Sequence, residues 1–167
     1  DNIATNFWIS RYKVNGFISF LLDSYLIYEC YPYFSDKSKE YNQNYEIYFN
    51  DLGILNYISW NFNIWDVNEN FVYLEILKNI WNEIYFYKKN TWSEIDFVIE
   101  TSDKKLIPIE VKSWNKDIIP KIFNSFYDDY KQKIDKFVVT TKDFYNSRKL
   151  NDKDVIFIPN FLIWKLK

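Results

Sequence analysis

The chain has 167 residues, a net charge of −2 and a composition that is 48% hydrophobic and 22% aromatic, enough for one sizeable buried core. It has no His, one Cys and 2 Gly. Those counts exclude Ser-His-Asp and Cys-His catalysis, His-ligated zinc, an internal disulfide and a Gly-rich phosphate loop. No apolar run approaches the length of a membrane span and no signal-peptide pattern is present, so a soluble, cytoplasmic protein is expected.

In chain order, residues 5–24 read as a helix with Phe17, Phe20, Leu21 and Leu22 on an apolar stripe, closed by Asp23-Ser24. Residues 25–31 and 45–49 read as strands by their aromatic and β-branched content, with the polar stretch 35–44 between them. Helix, strand, long loop and strand predict the last part of a winged-helix domain, with the polar stretch as its wing. A helix plus a hairpin that merely packs on the rest of the chain is the alternative. Cys30, among Tyr28, Tyr31 and Tyr33, reads as a buried structural thiol. Asn50-Asp51-Leu52-Gly53 is a turn by composition, and Ile54, Leu55, Tyr57 and Ile58 suit a short helix.

The aromatic stretch Trp60 to Trp65 marks a packed domain joint and a candidate interface, dividing the chain into residues 1–60 and 61–167. Asp66 and Glu69 resemble a capping box for a helix over 67–81 that is apolar around most of its circumference. Glu75 lies in its middle, where a carboxylate needs a cation, a proton or an ion pair with a lysine such as Lys112. A strand over 83–88 follows. After the hairpin considered next, Ile119 to Ile134 recur at helical spacing, predicting a helix over 117–133. Phe137-Val138-Val139-Thr140 is then a strand, expected to lie parallel to the one carrying Glu110. Residues 155–158 make a last strand before a short terminal segment.

Glu94 to Glu100 and Leu106 to Lys112 each alternate with period two, joined by the polar turn 101–105, which predicts an antiparallel hairpin. Centred on Asp103, it places Asp96 opposite Glu110 and Glu94 opposite Lys112. Ile95, Phe97 and Ile99 share one face; Ile107, Ile109 and Val111 share a face of the second strand. Two opposed carboxylates repel, and a cation such as Mg²⁺ removes the repulsion. With Lys112 on the same face, the hairpin reads as a metal-and-lysine site for phosphoryl chemistry. A solvated face with a Glu94–Lys112 salt bridge is the bland alternative. Residues 1–102 carry 7 basic against 14 acidic side chains, and residues 103–167 carry 14 against 9. A basic second half suits an approach to phosphates, though scattered surface lysines give the same count. The absence of any Met predicts a piece of a longer protein, or missing Met positions that shift spacings slightly.

Helix, three antiparallel strands, helix and parallel strand, with Glu75, Asp96 and Glu110-Val111-Lys112 in place, resemble the PD-(D/E)xK or restriction-endonuclease-like superfamily. Ile95 stands where that pattern often has Pro. The runs 22–27, 48–53, 69–75, 94–97 and 108–112 also resemble the family called domain of unknown function 4143, found after the ATPase domain of prokaryotic AAA-type ATPases. The resemblance implies an α/β mixed-sheet, restriction-endonuclease-like core after a partial winged-helix-like segment. It implies an AAA-type ATPase domain in the same full-length protein as partner, DNA as substrate and Mg²⁺ or Mn²⁺ as cofactor. Asp96 and Glu110 would hold the metal with the carbonyl of Val111 and with Glu75, and Lys112 would orient water or neutralise phosphate. A non-cleaving module that binds nucleic acid or protein and directs the ATPase is the rival expectation, favoured by the low pI.

Overall fold

A computed structural model describes residues 2–34, 44–58, 64–80, 83–90 and 93–166. The first segment holds α1 (Asn2–Asn6), α2 (Arg11–Asp23), β1 (Ile27–Pro32), β2 (Glu46–Phe49) and α3 (Leu52–Ile58). The single helix expected over 5–24 is therefore two. They are broken where Trp8 takes a positive φ of 55°, and Ser10 then caps α2 by accepting from the Lys13 amide at 3.4 Å. Asp51 caps α3 in the same way, its Oδ1 accepting from the amides of Gly53 and Ile54 at 2.7 and 2.9 Å. Most of the expected wing, and Trp60 to Asn63 of the aromatic joint, lie outside the described residues.

α4 (Ile64–Ile80) starts two residues before Asp66, so that residue lies inside the first turn rather than at its cap. Then come β3 (Glu83–Asn90), β4 (Ser93–Glu100), β5 (Leu106–Glu110), α5 (Ile122–Tyr130), β6 (Phe137–Thr141), β7 (Asn146–Leu150) and β8 (Lys153–Pro159). A 3₁₀ segment, Asn160–Leu166, closes the described chain. α5 is shorter than its apolar spacing predicts. Pro120 cannot donate within a helix, and the turn begins only where Phe123 N–H reaches the Pro120 carbonyl at 3.1 Å.

All eight strands form one mixed sheet in the order β2-β1-β3-β4-β5-β6-β8-β7. β1 runs parallel to β3, so the first segment extends the sheet of the second directly. β5 and β6 are parallel, as the crossover through α5 requires. The sheet is buried on both sides. α4 and the 3₁₀ segment cover one face through Val72, Tyr73, Leu74, Ile76 and Ile163; α5 covers the other through Ile122, Phe123 and Phe126. Cys30 is fully buried, with Sγ 3.8 Å from the Ile84 carbonyl, and burial pushes its thiol well up. Among the described residues no helix is long and apolar enough to cross a membrane.

The hairpin register is the one centred on Asp103: Phe97 faces Ile109, Val98 faces Pro108 and Ile99 faces Ile107. One expectation fails nearby. Tyr85 pairs with Val98 but Tyr87 with Ile95, so β4 takes three steps where β3 takes two. This bulge at Asp96-Phe97 reverses the alternation. Phe97 and Ile99 pack on the α4 side, whereas Ile95 joins Val98 and Leu106 on the α5 side.

Asn70 of α4 fastens β2 to this framework. Its Oδ1 accepts from the Phe49 amide at 2.8 Å and its Nδ2 donates to the Phe49 carbonyl at 2.7 Å, much as a neighbouring strand would. The side chain is 3% exposed, so Asn70→Ala leaves both backbone groups short of a partner. A loss of about 2–4 kcal/mol in urea denaturation is expected, and a loss below about 0.5 kcal/mol would contradict the bridging role.

Candidate functional site

The site gathers where the bulge of β4 meets the end of β5. Asp96 Oδ2 accepts from the Val111 amide at 2.6 Å, across the gap where ladder pairing ends. Glu110 is 8% exposed, its Oε1 bonded to Lys112 Nζ at 2.7 Å. Its other oxygen, Oε2, is buried with no hydrogen-bond partner among the described residues. A buried carboxylate oxygen left so is costly and marks a place for a donor or a cation. Lys112 itself is held by its backbone. Its amide donates to Thr140 Oγ1 at 3.0 Å, and that hydroxyl donates to the Lys112 carbonyl at 3.2 Å.

Asp96, Glu110, Val111 and Lys112 are thus brought together. Glu75 bonds within its own helix: Asn79, one turn on, donates to its carbonyl and to Oε2 at 2.9 and 3.4 Å. Glu69, also on α4, is an acid whose charge bears on Glu110. Glu69 and Glu75 are six residues apart, which at 3.6 residues per turn puts them about 120° from each other around the helix. The β4–β5 ladder ends at Phe97 and Ile109, short of Glu94 and Lys112, and the ion pair of Lys112 is with Glu110 while Glu94 turns to the other neighbouring strand. It pairs in register with Lys88 of β3, Oε2 to Nζ at 2.7 Å.

A second tier of acids comes from the first segment. Tyr48 Oη lies 2.9 Å from Glu46 Oε2 and 2.6 Å from Glu69 Oε1, beside a cavity of about 300 Å³ lined also by Asn70 and Leu55. A hydroxyl has one proton, so it donates to one carboxylate and the other must supply a proton of its own. Burial first, then the charge of Glu94, pushes the Glu46 carboxyl up to about 8, and a hydrogen bond to Glu94 adds to the shift. The Tyr48 hydroxyl is held well above its ordinary value by burial and by Glu69 and Glu46, and remains a donor. Of the residues that sequence reasoning missed, Glu69 had a readable signal in its place on α4; Glu46, Tyr48 and Thr140 had none, because only the sheet order brings them near.

Burial and the neighbouring Glu110 push the Asp96 carboxyl up to about 7, against the opposing pull of the Val111 amide and Lys112. Burial also raises Glu110, with Lys112 opposing. A raised acid holds its proton longer in the folded chain than in the unfolded one, where Asp titrates near 3.8. Stability therefore falls as pH rises from about 4 to about 7, and Glu46, raised to about 8, extends the fall to about 8. In chelator, the Tm is expected to be higher at about pH 5 than at about pH 8, with the difference reduced in Asp96→Asn. Equal wild-type Tm values at the two pH values would contradict this.

Among the described residues no group of three or more Cys, Asp or Glu side chains is arranged to hold a metal ion by itself. The donors present still fit Mg²⁺, which is commonly bound by one or two carboxylates, retained waters and substrate phosphate rather than by an all-protein cage. The orphaned Glu110 Oε2 beside Asp96 is such an incomplete donor set.

Residues 66–161 match the family model described as Domain of unknown function (DUF4143), and residues 1–63 match one described as Domain of unknown function (DUF8612). The runs 22–27 and 48–53 thus fall within the second match. No curated protein and no solved structure matches the chain.

Proposed function

The chain belongs to the DUF4143 family, and from that premise we propose that it is a Mg²⁺- or Mn²⁺-dependent DNA phosphodiesterase with a restriction-endonuclease-like core. The observation that carries the reading is the buried, unpartnered Glu110 Oε2 held beside Asp96 with Lys112 alongside. The element order from α4 to β6 supports it: helix, three antiparallel strands, helix, parallel strand. Residues 1–60 would be the partial winged-helix-like segment, and an AAA-type ATPase domain in the same full-length protein, in the cytoplasm, would be its partner.

Asp96 and Glu110 would hold the metal, with the Val111 carbonyl completing the shell. Glu75, directly or through water, or Glu69, whose charge bears on Glu110, would take the outlying place in this reading. The bound metal would supply a water of lowered pKa and neutralise charge on the phosphorane-like transition state. The Val111 amide fixes the Asp96 carboxylate, so one oxygen remains to face the site. Thr140 fixes the Lys112 backbone. In the chain as it stands the Lys112 ammonium neutralises Glu110; with Glu110 otherwise satisfied, it is released to orient water or to meet a phosphate oxygen. Incubation with plasmid and single-stranded DNA tests the reading: cleavage that requires Mg²⁺ or Mn²⁺ and stops with chelator is the expected result.

One observation favours a second reading, a non-cleaving module that directs the ATPase. Five acidic side chains (Glu46, Glu69, Glu94, Asp96 and Glu110) crowd the site against Lys88 and Lys112, so that even with Glu46 and Asp96 pushed toward their protonated forms the site offers DNA little positive field when no cation is bound. Absence of cleavage with either metal on either substrate would favour that reading.

A further inference from the structure

The loop after β5 places a large aromatic ring beside the lysine of the site. Lys112 Nζ lies over the Trp114 ring, 5.7 Å from its centroid, and the Trp114 residue is 40% exposed. An exposed aromatic residue alone means little. This one is carried on a loop that is pinned at two points. Next to it, Asn115 Nδ2 donates to Asp143 Oδ1 and Asn115 Oδ1 accepts from the Asp143 amide at 3.1 Å. Two residues before it, the backbone of Lys112 is tied to Thr140 of β6. The ring is therefore held at the mouth of the site in advance of any ligand, which lowers the ordering cost of binding. Lys116 and Lys142, both exposed, flank the Asn115–Asp143 clasp.

We propose that Trp114 is a base-stacking platform and that the substrate it selects is single-stranded DNA, an inference that rests on the phosphodiesterase reading above. Aromatic side chains with flanking cations are what a single strand requires: a π-face for an unstacked base and charge for the adjoining phosphates. In a duplex each base is already stacked and gains nothing from a lone indole. The carboxylates of the site further penalise a stiff duplex backbone, whereas a single strand can bend its phosphates toward Lys112, Lys116 and Lys142. Trp114 thus acts as a specificity residue. It needs no part in bond breaking.

The test is fluorescence anisotropy with a labelled oligothymidylate and with a labelled duplex in Mg²⁺, the probes checked intact on a denaturing gel. Trp114→Ala should weaken single-strand binding about 5- to 150-fold, with Trp114→Phe keeping most of the affinity and duplex binding unchanged. Far-UV circular dichroism of both variants establishes that they are folded. Wild-type affinity in Trp114→Ala, or an equal loss on both probes, overturns the inference and leaves the phosphodiesterase reading standing. If the wild-type chain binds neither probe with metal present, both fall together.

Discussion

Asp96→Asn and Lys112→Ala are each expected to lower metal-dependent DNA cleavage by about a hundredfold or more, for different reasons. The carboxamide introduced by Asp96→Asn would keep an oxygen for the Val111 N–H, so the bulge and the end of β5 retain their geometry. What is lost is the negative charge beside Glu110 that a hard cation needs. Lys112→Ala leaves both carboxylates in place but removes the ammonium that orients water or meets phosphate, an electrostatic term typically worth ~10²–10³ in rate. The pair of variants is separated by a thermal shift: Mg²⁺ should raise the Tm of Lys112→Ala and not that of Asp96→Asn. Full activity in either variant would rule out this site.

Phe97→Ala is expected to destabilise the fold by about 3–5 kcal/mol in urea denaturation. Phe97 is fully buried, its ring 5.5 Å from that of Tyr48 and 5.9 Å from that of Tyr73. Tyr48 and Tyr73 in turn stack with ring centroids 4.3 Å apart. Three elements, β2, α4 and β4, therefore meet on this one side chain, and truncation leaves a cavity among rings too rigid to close it. The residue also sits in the bulge that aims Asp96, so the variant should lose metal-dependent stabilisation along with stability. A change below about 1 kcal/mol would show that the bulge is held by other contacts.

Local pattern made much of this architecture legible. The β4–β5 register follows from a polar five-residue turn and two alternating strands, and it brings Asp96 to the end of β5 where Glu110 stands. The parallel placement of β6 follows from a helix between two apolar strands. Three features escaped for physical reasons. A bulge has no composition of its own, so strict alternation keeps Ile95 on the face that it in fact leaves. β7, reading Asn-Ser-Arg-Lys-Leu, is an edge strand with no apolar alternation to announce it. The acids that surround the hairpin depend on long-range contact. Glu69 meets Tyr48, and through it Glu46, only because β2 docks on α4 through Asn70.

The central claim is that the hairpin builds a divalent-cation site, and a calorimetric titration of the chain with Mg²⁺ or Mn²⁺, wild type beside Asp96→Asn, tests it most directly. The account predicts saturable binding in the wild type, with protons released as Asp96 and Glu110 ionise, and no saturable binding in Asp96→Asn. Heats of dilution alone in the wild type, or identical isotherms for the two proteins, would contradict it.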